Sequence, residues 1–121
     1  MIPHTLLRDE GILLVSPREP FESADFQELA HEVDPFIAER GKLQGLMVIA
    51  KKFPGWRNFA GMKSHLKFVR DHRKQVKKVA AVTDSALLGM VPRVLAPFLG
   101  PKVRRFHESE RESALAWLRT N

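Results

Sequence analysis

The chain alternates between short apolar runs and longer segments in which apolar residues recur at helical spacing. The runs at residues 5–7 and 12–15 flank a short turn that contains glycine, which predicts a β-hairpin. Three later runs, at 43–50, 76–83 and 103–106, also predict strands. The first of these three is nearly all apolar, which is typical of a strand covered on both faces.

Helical spacing of apolar residues predicts four helices between and after these strands. They cover residues 23–40, 60–74, 85–99 and 109–118. Ser23 and Ser109 are the predicted N-terminal capping residues of the first and last helices. Pro35 is expected to kink or divide the first helix near Asp34.

The element order β-β-α-β-α-β-α-β-α predicts an α/β fold with a five-stranded, mostly parallel sheet and an antiparallel first strand at or near its edge. A chain of 121 residues, 44% of them hydrophobic, is long enough to form one domain, 1–121, around its own core. The absence of cysteine excludes disulfides and thiolate zinc sites and suits a cytoplasmic setting. No signal sequence is visible, and no segment approaches the about 18–20 apolar residues that would cross a bilayer.

Charge is distributed unevenly around a net value of +6. Residues 1–40 contain nine acidic and three basic residues, a balance of −6. Residues 51–78 contain ten basic residues and one acidic residue, a balance of +9. This asymmetry predicts a cationic face suited to anionic lipid, nucleic acid or an acidic protein. The alternative is an ordinary solvated helix surface.

Residues 51–59, Lys-Lys-Phe-Pro-Gly-Trp-Arg-Asn-Phe, bring aromatic side chains into the cationic region. They form a loop after the predicted strand 43–50, and open α/β sheets usually bind ligands at the carboxyl ends of their strands. Turns rarely expose Phe and Trp, so the loop is a candidate lip of an apolar pocket or a lipid-contacting surface. The alternative is that Phe53 and Phe59 fold back into the core and Trp56 covers the sheet edge.

The helix that follows this loop is basic and amphipathic, with one apolar stripe and one cationic stripe. The apolar helix predicted at 85–99 is either simply buried or a movable flap, because it contains two prolines and an adaptable methionine. The hypothesis is a cleft or membrane-contacting surface formed by the loop and both helices. Its candidate ligand- or membrane-binding residues are Phe53, Trp56, Arg57, Phe59, Met62, Lys63, Leu66, Lys67, Arg70, Leu88, Met90 and Val91.

No catalytic, metal or cofactor site is predicted. The five histidines are scattered, and His65 and His72 are seven residues apart instead of the three or four typical of a helical metal pair. The sequence contains no nucleophile elbow and no phosphate-cradling glycine-rich loop. It also lacks a recognised nucleic-acid-binding motif, and its aromatics occupy one loop instead of a stacking platform. We therefore expect a protein that binds without catalysing, needs no cofactor and does not use nucleic acid as its partner.

Several short motifs, in their order along the chain, resemble the SpoIIAA-like proteins of bacteria, which belong with the STAS domains. They are the loop Phe53-Pro54-Gly55-Trp56, the strand sequence Val-Ala-Ala-Val-Thr-Asp at 79–84, and the ending Phe106 followed by Ser-Ala-Leu-Ala-Trp-Leu at 113–118. The resemblance implies four strand–helix turns preceded by an antiparallel strand. For this branch it also implies binding of an apolar ligand or membrane surface, with similarity to Sec14-type lipid-binding folds.

Classical STAS proteins are anti-sigma factor antagonists that carry a phosphorylatable serine at the start of the helix after the third strand. The matching positions here, 58–61, hold Asn-Phe-Ala-Gly, so the resemblance does not extend to that switch. Ser64 lies one turn later.

We interpret the chain as a cytoplasmic, STAS-like binding protein. In one version of the hypothesis the protein associates peripherally with the inner membrane surface. Its partner would be an apolar or lipid-like ligand or an anionic membrane. The alternative is a regulatory module of the anti-sigma factor antagonist type that contacts an acidic protein through the same loop, without the usual serine. Exposed loop aromatics are also compatible with a homodimer contact.

Overall fold

A single five-stranded sheet organises the residues that the computed structural model describes, which are 2–86, 88 and 102–120. Its strands follow the chain in the order β1-β2-β3-β4-β5. They are β1 (His4–Leu7), β2 (Ile12–Val15), β3 (Leu43–Ile49), β4 (Val76–Val82) and β5 (Lys102–Phe106). β1 pairs antiparallel with β2, and every other neighbouring pair is parallel. The predicted mixed sheet with an antiparallel edge strand is therefore confirmed.

Three helices lie within the described residues: α1 (Ser23–Arg40), α2 (Phe59–His72) and α3 (Arg111–Arg119). Short 3-10 turns at Arg73–Gln75 and Glu108–Glu110 lead into β4 and α3. Most of the helix predicted at 85–99 lies outside the described residues, together with Met90 and Val91 and the hypothesis of a movable flap.

The helices differ from the prediction at three places, two of them at helix starts and one inside α1. Ser23 is the first residue of α1, which begins after Glu22, and the Asp25 carboxylate accepts the backbone N–H of Glu22 at 2.9 Å. A carboxylate at this position is favoured by the helix dipole, so the serine is not needed as a cap.

Ser109 likewise lies inside a 3-10 turn, where Glu110 accepts the backbone N–H of His107 at 2.9 Å. Pro35 does not divide α1, which runs unbroken to Arg40. Burial of Phe36 and Ile37 beside it outweighs the one backbone hydrogen bond that proline removes.

The two faces of the sheet are covered by different helices. On one face, buried residues of α1 pack against the inward side chains of β2 and the start of β3; the helix contributes Phe26, Leu29, Val33, Phe36 and Ile37. On the other face, Ala114 and Leu118 of α3 pack against Ile12, Met47 and Ala80. The side chains of the central strands therefore contribute to two separate cores.

α2 packs against α1 along one narrow side. Gly61 lies so close to the chain before α1 that a Cβ at this position would stand 2.4 Å from the carbonyl oxygen of Phe21. Two turns further on, the Phe68 ring lies 5.8 Å from that of Phe26, and after one more turn His72 Nε2 lies 2.6 Å from Asp34 Oδ1. The residues in contact, 61, 65, 68 and 72, follow helical spacing, and the opposite side of α2 faces outward.

Candidate functional site

Four large apolar side chains remain exposed in the part of the chain that the structure describes. They are Phe53 (39% exposed), Trp56 (38%), Phe59 (68%) and Leu66 (57%). All four belong to α2 or to the loop between β3 and α2, and we call them the aromatic lip. Scattered exposed apolar residues are ordinary on protein surfaces, whereas a group confined to one loop and the adjoining helix marks an interaction surface.

The loop that carries the lip is fixed by its backbone. The backbone N–H of Phe21 donates to Gly55 O at 2.8 Å, and the N–H of Arg57 donates to Phe21 O at 2.9 Å. These bonds form a parallel bridge between Phe21 and Trp56. Gly55 has a φ of 83°, a conformation that glycine adopts at no steric cost. An ion pair of 2.5 Å between Arg57 and Glu22 closes the same junction.

The loop aromatics pack on one another and leave much of their surface in solvent. The Phe53 and Trp56 rings meet edge to face with centroids 4.9 Å apart, and Phe53 also lies 6.0 Å from the buried Phe21 ring. The Trp56 indole Nε1–H donates to Nδ1 of His65 at 3.1 Å. The Trp56 ring is thus held in place by one hydrogen bond and by ring contacts with Phe53 and His65, and it stays 38% exposed.

His65 is the least expected member of the site. Its ring stacks on Phe26 at 4.9 Å with an interplanar angle of 10°, and the Phe21 ring lies 5.0 Å away. Burial among these rings lowers the pKa of His65 below its ordinary value, because the charged form loses its hydration. From the sequence, His65 is a candidate only for metal binding. Its four-residue spacing from Gly61 could have placed it on the inner side of α2.

The exposed side of α2 alternates apolar and basic residues. Asn58 accepts the backbone N–H of Gly61 at 2.9 Å and starts the helix, so Phe59 projects from its first turn. Lys63 Nζ lies 5.7 Å from the centroid of the Phe59 ring. Five lysine and arginine side chains are exposed on this helix and at the start of the loop, and we call them the basic rim: Lys51, Lys52, Lys63, Lys67 and Arg70.

The structure therefore brings most of the predicted residues together on one surface. Phe53, Trp56, Arg57, Phe59, Lys63, Leu66, Lys67 and Arg70 are all exposed there. Met62 and Leu88 are half-buried. Phe59 does not fold back into the core, and Phe53 touches buried Phe21 while staying 39% exposed. The lip is consequently a surface feature and not a displaced part of the core.

Cavities lined by described residues lie elsewhere. One of about 450 Å³ is bordered by the β1–β2 turn, the end of α1 and Lys77; another of about 360 Å³ lies between the ends of α1 and α2, beside His72. Both are open, both lie at the end of the sheet where β3 and β4 begin, and neither includes a lip residue. Within the described ranges, no three acidic or histidine side chains are grouped as a metal site would require.

The region that would carry a regulatory serine is occupied by the start of α2. Asn58 caps that helix, and the hydroxyl one turn later, Ser64 Oγ, donates to Ser23 Oγ at 3.0 Å. Ser64 therefore faces α1 and is half-buried, away from the lip. None of the described helices is both long enough and apolar enough to cross a membrane.

Comparisons with known proteins give a consistent result for the fold. The family model described as SpoIIAA-like matches residues 12–119. A solved structure from Shewanella loihica PV-4, of an uncharacterised protein with a SpoIIAA-like fold, is 19% identical and superposes with a TM-score of 0.75. The match covers 98% of this chain and 92% of that one. The comparison with curated proteins gives no significant match.

Proposed function

This chain belongs to the SpoIIAA-like family, whose fold is that of STAS-like binding or regulatory modules, and we propose that it is a non-catalytic protein that binds anionic membrane surfaces through the aromatic lip. The observation that carries the proposal is the position of the basic rim. Exposed aromatic rings and exposed cations occupy the same loop and the same side of α2. A surface of this composition matches a bilayer interface, where rings enter the headgroup region and cations meet anionic lipid.

Each part of the surface contributes a different term to membrane binding. Burying an exposed Phe side chain is worth about 1.5–3 kcal/mol, and Trp is favoured at the interface because its N–H remains near polar groups. Each basic residue close to an anionic surface adds about 1 kcal/mol, and this contribution weakens with salt. Neither term alone is large enough for stable attachment, so both are expected to be necessary.

The shape of the surface favours a membrane over an enclosed ligand. Phe59 and Leu66 are two turns apart on one side of α2, so about 10 Å separates them along the helix axis. Both project from the outer side of the helix, and the cavities lined by described residues are at the other end of the sheet. A straight exposed row of this kind can lie along a flat interface.

Vesicle co-sedimentation tests the proposal. We expect binding to phosphatidylcholine vesicles that contain phosphatidylserine, little binding to phosphatidylcholine alone, and a decrease as salt is raised. Trp56→Ala and Phe59→Ala should each reduce partitioning about tenfold, which corresponds to about 1.4 kcal/mol. Trp117→Phe is the matched control, because this half-buried tryptophan packs beside Phe106 on the α3 side of the sheet.

The alternative function uses the same surface for a protein. A regulatory module that contacts an acidic protein would show no vesicle binding, and Trp56→Ala would instead weaken a stoichiometric protein complex. Self-association through the lip would appear as a concentration-dependent mass in sedimentation velocity that Trp56→Ala abolishes. Either result, without binding to anionic vesicles, would reject the membrane proposal.

A further inference from the structure

The hydrogen bond between Trp56 and His65 is possible in only one protonation state of the histidine. An indole N–H can donate and cannot accept, so Nδ1 of His65 must present a lone pair at the 3.1 Å contact. The neutral ring meets this requirement with its proton on Nε2. An imidazolium ring carries protons on both nitrogens, and two donors would then face each other.

Among the residues that the structure describes, no acidic side chain forms an ion pair with His65. The rings packed against it are Phe26 of α1, Phe21 of the preceding segment and Trp56 of the loop. Of the acidic groups at the start of α1, Glu22 pairs with Arg57 and Asp25 accepts the N–H of Glu22. Glu28 of α1 is exposed, and the charged residues at the start of the loop are the exposed cations Lys51 and Lys52.

On α2 itself, the basic residues on either side of His65 are Lys63 and Lys67, which are exposed and would only oppose its protonation. Burial is the physical cause that lowers the pKa of His65. The neutral, accepting form is therefore the resting form of the site at neutral pH.

We propose that His65 is a proton-operated latch that holds Trp56 in place when neutral and releases it when protonated. Release frees the indole ring from α2 and leaves Phe53 as its remaining ring contact in the loop. Because the proposed function assigns Trp56 to the membrane interface, release would let the ring insert more deeply and would add one positive charge beside the basic rim. The membrane consequence rests on the proposed function, whereas the latch itself is a property of the free protein.

The sign of the pH effect follows from proton linkage. A histidine with a lowered folded-state pKa binds fewer protons in the folded form than in the unfolded one, so acidification favours any state in which His65 is hydrated. The first such state is local opening of the loop, because within the described ranges the Trp56 side chain is held by one hydrogen bond and by the rings of Phe53 and His65. The latch should thus open as the pH falls below about 6.5, the ordinary pKa of histidine.

Nuclear magnetic resonance of the Trp117→Phe protein tests the latch without lipid. Trp56 is then the only tryptophan. Its indole N–H resonance and the C–H resonances of His65 are followed from about pH 8 to about pH 5. We expect both groups to titrate together, with a midpoint below about 6.5. An indole resonance that stays constant while His65 titrates would overturn the proposal.

Two variants in the same background sharpen the test. His65→Gln keeps an acceptor oxygen but cannot titrate, so the pH transition of the Trp56 indole should disappear. His31→Gln removes an exposed histidine of α1 and should leave the transition unchanged. A transition that persists in His65→Gln would reject the latch. The joint titration of His65 and Trp56 decides the question even if His65→Gln does not fold.

Vesicle binding at the two ends of this pH range separates the latch from the proposed function. With phosphatidylserine-containing vesicles we expect binding to rise several-fold on acidification for the Trp117→Phe protein and for its His31→Gln variant, and to change much less for His65→Gln. If the indole titrates but no vesicle binds at any pH, the membrane proposal fails and the latch stands. If vesicles bind equally at both pH values, the latch does not regulate the surface.

Discussion

The carbonyl oxygen of Phe21 lies where the loop and α2 meet. It accepts the backbone N–H of Arg57 at 2.9 Å, which fixes the loop, and it is also the atom that a Cβ on Gly61 would approach to 2.4 Å. One backbone group therefore sets the position of both parts of the aromatic lip. Glycine at position 61 is needed because of this close approach, since the neighbouring atom is backbone and cannot rotate away.

Replacing Gly61 with alanine should destabilise the protein. In an exposed helix, glycine to alanine normally gains about 1 kcal/mol, but here the added methyl group would overlap the Phe21 carbonyl. We expect a net loss of about 1–3 kcal/mol in the free energy of unfolding, measured by urea denaturation.

Lys67→Ala is the control for general effects on α2, because Lys67 is exposed on the other side of the helix. It should change stability by less than about 0.5 kcal/mol. Stabilisation by Gly61→Ala would show that α2 does not approach Phe21 closely.

At the scale of elements, α3 is attached to the sheet through its carboxyl end. Lys78 of β4 is only 6% exposed, and its Nζ donates to the carbonyl oxygens of Trp117 at 3.1 Å and Thr120 at 3.0 Å. Gln44 of β3 donates to Leu118 O at 2.9 Å and to Thr120 O at 2.8 Å. Two strands thus donate hydrogen bonds to carbonyls at the carboxyl end of α3, where a cation is favoured by the helix dipole.

Lys78→Met tests this attachment, because methionine retains the apolar stem and removes the donors. Losing the two hydrogen bonds from the charged ammonium should cost about 1–3 kcal/mol of unfolding free energy, although Trp117 O keeps the N–H of Thr120 and Thr120 O keeps the donor from Gln44. Lys77→Met changes the exposed neighbour on β4 and should stay within about 0.5 kcal/mol of the unmodified protein. If Lys78→Met proves neutral or stabilising, desolvation of the buried ammonium outweighs its hydrogen bonds.

A second attachment joins the end of β4 to the turn before α3. Asp84 accepts the backbone N–H of Glu108 at 2.9 Å and lies 3.3 Å from Nδ1 of His107. The hydrogen bond from Glu108, followed by the contacts with the Glu108 and His107 side chains, holds the pKa of Asp84 below its usual value. A carboxyl with a lowered folded-state pKa stabilises the fold above its unfolded value near 3.8, and this contribution disappears as the pH falls through the lowered pKa.

Asp84→Asn should therefore be destabilising near neutral pH, and its difference from the unmodified protein should shrink on acidification. Urea midpoints at about pH 6 and about pH 2.5 measure the effect. Asp9→Asn, at the exposed turn between β1 and β2, provides the control for general effects of the substitution and should change the urea midpoint only slightly. A constant Asp84→Asn difference at both pH values would contradict the assignment.

A helix or strand can be predicted from the sequence where residues close to it in the chain determine its position, and not where residues close to it only in space do so. The strands and their order follow from apolar runs that the sequence displays directly, so β1 to β5 lie where they were expected. The orientation of α2 does not, because an apolar stripe that includes Phe59 and Leu66 can equally face a core or a ligand, and in the structure both residues face outward. Their direction is set by contacts of Gly61 and His65 with α1 and the preceding segment, which no local pattern reveals.

At the scale of the whole molecule, the acidic and basic parts of the sequence lie on two neighbouring helices of one layer, so its two sides carry opposite charge. α1 exposes acidic residues such as Glu28 and Glu39, and α2 exposes Lys63, Lys67 and Arg70. The net charge of +6 would attract the protein to any anionic surface, whichever side approached first. The basic rim, by contrast, predicts that one side makes the contact.

Two double variants with the same net charge separate these explanations. Lys63→Glu with Lys67→Glu reverses charge on the basic rim, whereas Lys42→Glu with Lys77→Glu does so at the start of β3 and β4. Each Lys→Glu change removes two charges, so both proteins carry +2 instead of +6. The length of β3, seven residues or about 23 Å, separates the two positions by more than the Debye length of about 8 Å at physiological salt.

At that ionic strength the rim variant should lose most of its binding to phosphatidylserine-containing vesicles, because each Lys→Glu change removes a favourable charge and adds a repelling one. The distal variant should retain most of its binding. Lowering the salt lengthens the screening distance, so the distal variant should then begin to weaken as well. Equal losses at physiological salt would mean that the protein responds to total charge. In that case the aromatic lip would not define which side meets the membrane.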